Sequence, residues 1–351
     1  MAKKNPIYVI TDLILDNTQY STDDKVLMLS AKSLDVIEAI AKVTQSVGVY
    51  DHSYHQLQNV QTAVRQDNVR LYQDVYPQDV RPYDKAHIIV PKGRDVGRAM
   101  LWSAMHAVRE GGRIYITGAT KGGAKTLIKD AEVIFGNASV LGYKQSHRIA
   151  QINHNGVTDY PAEWGQLPTE LQHITLDTPY GTITVGTMAG VFSHGELDDG
   201  TEFLLEHTVL RGEQSVLDLG CGYGIIGAAL APQVAQVTMV DDDLLAVRCA
   251  TATAEAQELS NVTVQASHIY STVSDTYDLI LSNPPFHQGV DVSTNVSERM
   301  IRRAPRYLNR GGRMLIVAND FLKYESIFDE NFADFRIVAR NNKYKIIEGI
   351  V

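Results

Sequence analysis

The chain is poor in the residues that would mark it as secreted, metal-clustered or membrane-embedded. Only two cysteines, Cys221 and Cys249, occur in 351 residues. That is too few for a disulfide framework or a thiolate metal cluster, and a reducing cytoplasm is expected. No apolar run reaches the roughly 18 residues that a membrane span requires. The start, Met1 to Pro6, is followed by a short apolar stretch broken at Asp12, so no secretory leader is expected. His52, His55, His87, His106 and His147 lack metal-ligand spacing, and no metal is expected. Basic residues are the minority: 32 Lys and Arg against 41 Asp and Glu give a net charge of −9. This excludes an indiscriminate nucleic-acid coat, so an RNA partner would need a local basic patch.

What remains is an ordinary globular composition, 44% hydrophobic and 21% charged, in a chain long enough for two domains. Comparing the chain with itself turns up a repeated pattern. In the second half, Tyr277-Asp278 opens an apolar stretch leading to Asn283-Pro284-Pro285-Phe286, and a helical stretch follows before Gly311-Gly312-Arg313. In the first half, Tyr83-Asp84 opens a similar stretch leading to Pro91, then a helical stretch, then Gly111-Gly112-Arg113. Each copy reads as strand, crossover helix, Gly-Gly turn and strand, the grammar of an open α/β sheet. Counted from the shared Asp, Pro91 falls opposite Pro285 and Ile89 opposite Asn283. The first copy therefore keeps the architecture and lacks the polar residue. Chance likeness between two α/β domains is the plainer alternative. Turn residues between Ile149 and Leu176 mark a junction, and domains over 1–160 and 161–351 are expected. The last strands, from Phe335 and from Tyr344, should pair as a hairpin across Asn341-Asn342.

Ser215-Val-Leu-Asp218-Leu-Gly220-Cys221-Gly222-Tyr223-Gly224 reads as a strand running into a glycine turn and then a helix. Glycines there let the backbone approach a ligand closely. A nicotinamide dinucleotide is the obvious rival occupant, since a Gly-x-Gly is weak by itself. Asp218, two residues before the first glycine, tilts the reading away from it, because dinucleotide folds usually place apolar residues there. Asp241 closes the next strand, where a carboxylate can accept from both ribose hydroxyls of either cofactor. Cys221 reads as a small residue in a tight turn.

Asn283-Pro284-Pro285-Phe286 follows an apolar strand, at the sheet edge where ligands of open α/β folds sit. The amino nitrogen of a base is a poor nucleophile because its lone pair is delocalised into the ring. Carbonyls from the Asn283 side chain and the Pro284 backbone could accept its two N–H groups and favour a pyramidal nitrogen. The prolines would hold those acceptors before substrate arrives. No general base is needed, and Phe286 offers a face on which an extruded base can stack. A Pro-Pro turn closing a strand, with Asn as a turn residue, is the bland alternative.

Asp218-x-Gly220-x-Gly222-x-Gly224 resembles motif I of class I methyltransferases. Gly190-Val-Phe192-Ser193, Asp198-Asp-Gly200-Thr201, Asn283-Pro-Pro-Phe286 and the stretch from Leu308 to Asn319 together resemble the bacterial ribosomal RNA guanine-N2 methyltransferases. The likeness is strong from Gly186 onward and weak before it. It implies two tandem class I methyltransferase domains of Rossmann-like α/β type with seven-stranded sheets, the first degenerate. It implies S-adenosylmethionine as cofactor and guanine N2 of ribosomal RNA or a ribosomal subunit as substrate, 16S ahead of 23S. Phe192 and Ser193, with Asp198 and Gly200, would then lie over the methionine end. Asp218, Gly220 and Gly222 would form the floor, Asp241 would hold the ribose, and Asn283, Pro284 and Phe286 would face the base, with Asn283 touching the cofactor as well. Where the family has Asp or Asn for the adenine amino group, this chain has His268. Its neutral imidazole could accept that bond, or the residue could lie at the surface.

Arg299, Arg302, Arg303, Arg306 and Arg310 recur every three or four residues, which places most of them along one side of a helix. They suit phosphate contacts, against the plainer reading of a solvated basic face. Gly118 to Thr126 imitates a phosphate loop, but Ala124 stands where Lys is needed, so no nucleoside triphosphate site is expected. The rival functions are methylation of adenine N6 or of a protein glutamine, and a non-catalytic RNA-binding assembly factor.

Overall fold

The computed structural model describes residues 6–77, 83–285 and 292–351. The chain divides into two compact units, Met1–Glu170 and Leu171–Val351.

The first unit contains α1 (Pro6–Asn17), β1 (Lys25–Leu29), α2 (Leu34–Ala41), β2 (Ser46–Tyr50), α3 (Tyr54–Ala63) and β3 (Val69–Tyr72). Then come β4 (Tyr83–Ile89), α4 (Arg94–Ala107), β5 (Val108–Ala119), α5 (Ala124–Phe135), β6 (Ser139–Lys144) and β7 (His147–Asn153). Its strands make one seven-stranded sheet, ordered β3-β2-β1-β4-β5-β7-β6.

The second unit opens with a hairpin, β8 (Gln172–Thr178) and β9 (Gly181–Thr187), followed by α6 (Asp199–Glu206), β10 (Ser215–Leu219) and α7 (Ile225–Leu230). Next are β11 (Gln236–Asp241), α8 (Leu244–Ala256), β12 (Val262–Ala266), β13 (Tyr277–Ser282) and α9 (Val292–Arg303). The chain ends through β14 (Leu308–Asn319), α10 (Glu325–Asn331), β15 (Asp334–Arg340) and β16 (Tyr344–Ile350). Its sheet is ordered β12-β11-β10-β13-β14-β16-β15, the same order as in the first unit. In both, only the strand next to the last edge (β7, β16) runs antiparallel to its neighbours. The expected terminal hairpin is β15 against β16.

The likeness of the two units extends to matching irregularities in their sheets. Pairing of β4 with β5 is interrupted between Tyr83 and Lys85, and that of β13 with β14 between Tyr277 and Leu279. Each interruption faces a Gly-Gly pair. A Cβ on Gly112 would lie 2.7 Å from the Asp84 carbonyl, and one on Gly312 would lie 3.0 Å from the Tyr277 carbonyl. Only glycine fits such an approach of backbone to backbone. Asp84 accepts from the Lys25 N–H at 2.8 Å, and Asp278 from the Ser215 N–H at 3.0 Å. Each acid thus fastens the start of one central strand to its neighbour.

The strands form where apolar β-branched residues run together, and both faces of the central ones are buried. Val26, Leu27 and Met28 are fully buried, as are Val216, Leu217, Ile280 and Leu281. Such near-continuous apolar strands are the signature of a sheet covered on both sides. In the second unit the core is continued by Tyr270, Tyr277, Met300, Ile301 and Phe328.

Residues 149–176, which read as a junction, carry strand residues at both ends. The division between units falls after Glu170, beyond the boundary expected after residue 160. Its cause is aromatic packing: Tyr160 sits edge-on to Trp102 of α4 and to Trp164, and the Arg98 guanidinium lies 3.9 Å from the Trp164 ring centroid. Among the described residues no helix is long and apolar enough to cross a membrane, and no cluster of His, Cys, Asp and Glu could hold a metal ion.

Candidate functional site

Parallel pairing aligns the carboxyl ends of β10, β11 and β13: Leu219 stands beside Val240, and Asp218 beside Leu281. The loops that leave these strands therefore emerge at one edge of the sheet.

The glycine loop divides into two tasks. Gly220, Gly222 and Gly224 all have positive φ, at 76°, 55° and 82°, which other residues adopt only under strain. A Cβ on Gly222 would meet nothing within 4 Å, and one on Gly220 only a Met300 methyl at 3.8 Å. These two glycines leave open space. By contrast, a Cβ on Gly224 would lie 2.9 Å from the Met239 sulfur, and one on Gly227 would lie 2.5 Å from the Met239 methyl. That second pair serves close packing of α7 on β11.

Two carboxyl groups line the loop. Asp218 is fully buried in β10; its Oδ2 accepts from the Gly227 N–H at 2.9 Å, while Oδ1 is buried without a partner. Burial pushes this carboxyl up to about 7; the Gly227 bond opposes the rise and the nearby Asp241 charge adds to it. Asp241 accepts from the Gly222 N–H and from the Asp243 N–H, both at 2.9 Å. Its carboxyl is likewise raised, chiefly by burial. An orphaned buried oxygen beside two glycines with open faces is what a pocket for a cationic, hydroxyl-bearing ligand looks like. The residues fit S-adenosylmethionine. Cys221 is buried, and burial pushes its thiol well up, which suits a packing residue in the turn.

Asn283 follows β13, and Ser282 fastens that strand end to β10 by donating to the Leu219 carbonyl at 2.7 Å. The Asn283 amide is pinned. Its Nδ2 donates to Asp198 Oδ2 at 2.8 Å and to Thr201 Oγ1 at 2.9 Å. Asp198 is the N-cap of α6, and its Oδ2 also accepts the Thr201 N–H at 2.9 Å. With both N–H groups engaged, Oδ1 is the end of the amide left to accept. The segment bearing Phe192, Ser193 and Asp198 meets the glycine loop because the Tyr223 hydroxyl donates to the Glu196 carbonyl at 3.0 Å. Within it Phe192 is exposed and Ser193 holds a φ of 57°.

Asp198, Asp218, Gly220, Gly222, Asp241, Asn283 and Pro284 are thus gathered at one sheet edge, with Phe192 and Ser193 on the adjoining segment. Phe286 lies outside the described residues. His268 is half-buried: its side chain is 17% exposed, with Nδ1 3.4 Å from Asp242 Oδ1. Sequence reasoning missed Thr201 and Tyr223. Thr201 left a signal, since Asp198 and Thr201 stand at N-cap and N3 spacing.

Most of the arginines share one helix, as their spacing predicts, and two lie beyond its end. Arg299, Arg302 and Arg303 belong to α9, Arg306 to a 3-10 turn over Ala304–Tyr307, and Arg310 to the irregular start of β14. Pro305 in that turn ends the α-helix. Arg302 is paired with Glu330 at 2.6 Å, and Arg303 lies 6.0 Å from the Tyr270 ring centroid. Arg299 and Arg306 are exposed and have no acidic partner among the described residues.

The first unit offers a contrast at the same edge. Asp51, just after β2, accepts from the Ala31 N–H at 2.6 Å and the Ser53 N–H at 2.8 Å. It is the counterpart of Asp241, which the sequence comparison missed. Ser30-Ala31-Lys32-Ser33 stands where the second unit has its glycine loop, and Ile89 and Val90 stand where it has Asn283 and Pro284.

Comparison with known proteins agrees with this division. Residues 182–348 match the methyltransferase small domain, and residues 11–139 the methyltransferase small domain N-terminal family. A solved structure of the T. thermophilus 16S rRNA N2 G1207 methyltransferase (RsmC), in complex with AdoMet and guanosine, superposes with a TM-score of 0.84. It is 26% identical and covers 99% of this chain and 92% of its own. The ribosomal RNA small subunit methyltransferase C of Klebsiella pneumoniae is 32% identical over 81% of each chain. That of Shewanella piezotolerans is 31% identical over 97% of this chain and 98% of its own. The chain belongs to the ribosomal RNA small subunit methyltransferase C family.

Proposed function

We propose that the second unit transfers a methyl group from S-adenosylmethionine to the exocyclic N2 amine of a guanine in 16S ribosomal RNA. The observation that carries this reading is the pinned Asn283 amide, with Oδ1 as its accepting end, beside a glycine loop with open faces.

Bound S-adenosylmethionine supplies an electrophilic methyl group. The chain's part is to hold and orient. Asp218, Gly220 and Gly222 form the floor, Asp241 accepts from the ribose, and His268 faces the adenine. Phe192, Ser193 and the remaining oxygen of Asp198 face the methionine end. Asn283 Oδ1 and the Pro284 carbonyl accept the two N–H groups of the guanine amine, which favours a pyramidal nitrogen with its lone pair free. Because the amide is anchored before substrate arrives, little reorganisation is left for the transition state. Phe286, on the sequence likeness alone, is the residue on which the base would stack. No group in the site needs to remove a proton first, since the product proton can leave to solvent afterwards.

RNA is gripped by Arg299, Arg302, Arg303 and Arg306. They form a basic patch in a unit whose residues 171–351 hold thirteen basic against twenty-three acidic side chains, so the grip is local. The partner is ribosomal RNA, free or within a ribosomal subunit, and a cytoplasmic protein fits it. The first unit, without the glycine loop or the Asn, supports folding or positions RNA.

Methyl transfer from labelled cofactor to 16S RNA tests the reading. Asn283→Ala is expected to lower kcat by roughly 10² to 10³, well beyond any loss of cofactor affinity. Equal transfer by the variant would refute the role of Asn283. Mass mapping of RNA methylated by the wild type identifies the nucleotide, and a product other than N2-methylguanine would refute the substrate.

A further inference from the structure

We propose that Thr201, together with Asp198, is a positioning residue that sets which end of the Asn283 amide faces the substrate. The proposal rests on the reading of Asn283 as the acceptor for the target amine and deepens it.

An asparagine amide has two ends of nearly equal shape and opposite polarity. Turned one way it presents a carbonyl, which accepts from an amine; turned the other it presents an NH₂ group, which repels one. Nothing in an Asn-Pro-Pro loop decides between them. Here the decision comes from α6. The Asp198 carboxylate can only accept, so the end of Asn283 facing it must be Nδ2. Thr201 Oγ1 completes the pair. Its proton points to Asp198 Oδ2, at 3.4 Å, and its lone pair receives the second Asn283 N–H at 2.9 Å. A flipped amide would bring carbonyl oxygen against carboxylate, and Thr201 could meet it only by turning its hydroxyl proton away from Asp198.

The clamp is built into the fold. Asp198 is held as an N-cap by the Thr201 N–H, so the residue that restrains Asn283 is itself restrained by helix formation. Gly200 supplies the space: a Cβ there would lie 3.0 Å from Asp198 Oδ2, 3.4 Å from a Tyr344 ring carbon and 3.5 Å from Asn283 Nδ2. Thr201 is buried, so water does not substitute freely for its hydroxyl.

The test uses the full-length protein with 16S RNA. Thr201→Val keeps the side-chain shape and removes the hydroxyl. It is expected to lower kcat roughly tenfold to a hundredfold, while cofactor affinity measured by calorimetry stays within about twofold. Thr201→Ser restores the hydroxyl and should recover most of the lost rate. In nuclear magnetic resonance of the ligand-free protein, the Asn283 side-chain NH₂ pair, identified by its loss in Asn283→Ala, should move and exchange faster in Thr201→Val. In an Asn283→Ala background, Thr201→Val should have little further effect, since coupled residues are not additive. An active Thr201→Val, an equal loss in Val and Ser variants, or an independent loss in the Asn283→Ala background would each overturn the clamp. If Asn283→Ala itself retains full activity, the underlying reading fails. An inactive Asn283→Ala beside a fully active Thr201→Val sinks the clamp alone.

Discussion

Asp218 makes the fold's stability depend on pH in a direction opposite to that of an ordinary surface carboxylate. It is fully buried, one oxygen has no partner, and its carboxyl is raised by burial to about 7. Because the folded value lies above the unfolded one, the native state binds the extra proton. The group's favourable contribution is complete below about pH 4 and is lost as pH rises through about 7. Keeping the ionised form buried in the ligand-free protein then costs on the order of 4 kcal/mol. Asp218→Asn keeps an acceptor for the Gly227 N–H and never ionises. In thermal melts of ligand-free protein it should match the wild type near pH 3–4 and lead it by about 1.5 kcal/mol at pH 5. Near pH 9 the lead should reach about 8–16 °C, at about 2–4 °C per kcal/mol. A gap that does not vary between pH 5 and 9 would refute the reasoning. The same ionisation should follow cofactor binding, because a cation beside Asp218 favours its charged form. Calorimetry in buffers of different ionisation enthalpy should show release of about half a proton at pH 7 and about nine-tenths at pH 6. Release that is absent at both values would mean that Asp218 stays neutral under the ligand.

Other expectations follow from packing and charge. Arg313 is almost fully buried and bridges Glu213 and Glu348 at 2.6 and 2.8 Å. Arg313→Met should therefore destabilise the second unit by about 3–5 kcal/mol in urea unfolding, because it strands two buried carboxylates; a loss below 1 kcal/mol would show that Arg211 and Arg336 suffice. Gly312→Ala forces a methyl to within 2.8 Å of the Asn309 carbonyl and should cost about 1–3 kcal/mol, with Gly112→Ala doing the same in the first unit. Thermal melts that leave both unchanged would show that the repeated bulge tolerates a side chain. Removing Arg299 and Arg306 together should weaken RNA binding across sequences and reduce the salt slope by about 1.5. Arg302→Ala, already paired with Glu330, should change it less; an unchanged slope in the double variant would place the RNA elsewhere.

Much of this molecule was legible from local pattern. Tyr-Asp, the apolar strand and Gly-Gly recur in both halves because each marks a strand start, a buried strand and a backbone crossing, which depend on neighbouring residues alone. The glycine loop and Asn283-Pro284-Pro285 were legible for the same reason: positive φ and a rigid turn are local demands. What escaped detection was of another kind. Asp51 looked like any loop acid until β2 placed it against the loop after β1. The arginines kept helical spacing past the point where Pro305 ends the helix. Tyr160 and Trp164 sat among turn residues, and only the face of α4 reveals that they belong to the first unit.

The chain's own residues thus determined that there are two copies of one α/β plan and which copy carries the chemistry, since those depend on side chains a few positions apart. Tertiary structure alone decided how Asn283 is turned. Its partners, Asp198 and Thr201, lie more than eighty residues earlier, and they meet it only because the sheet order sets the end of β13 beside the start of α6. An amide's orientation depends on what lies across from it in space, and sequence spacing carries no record of that.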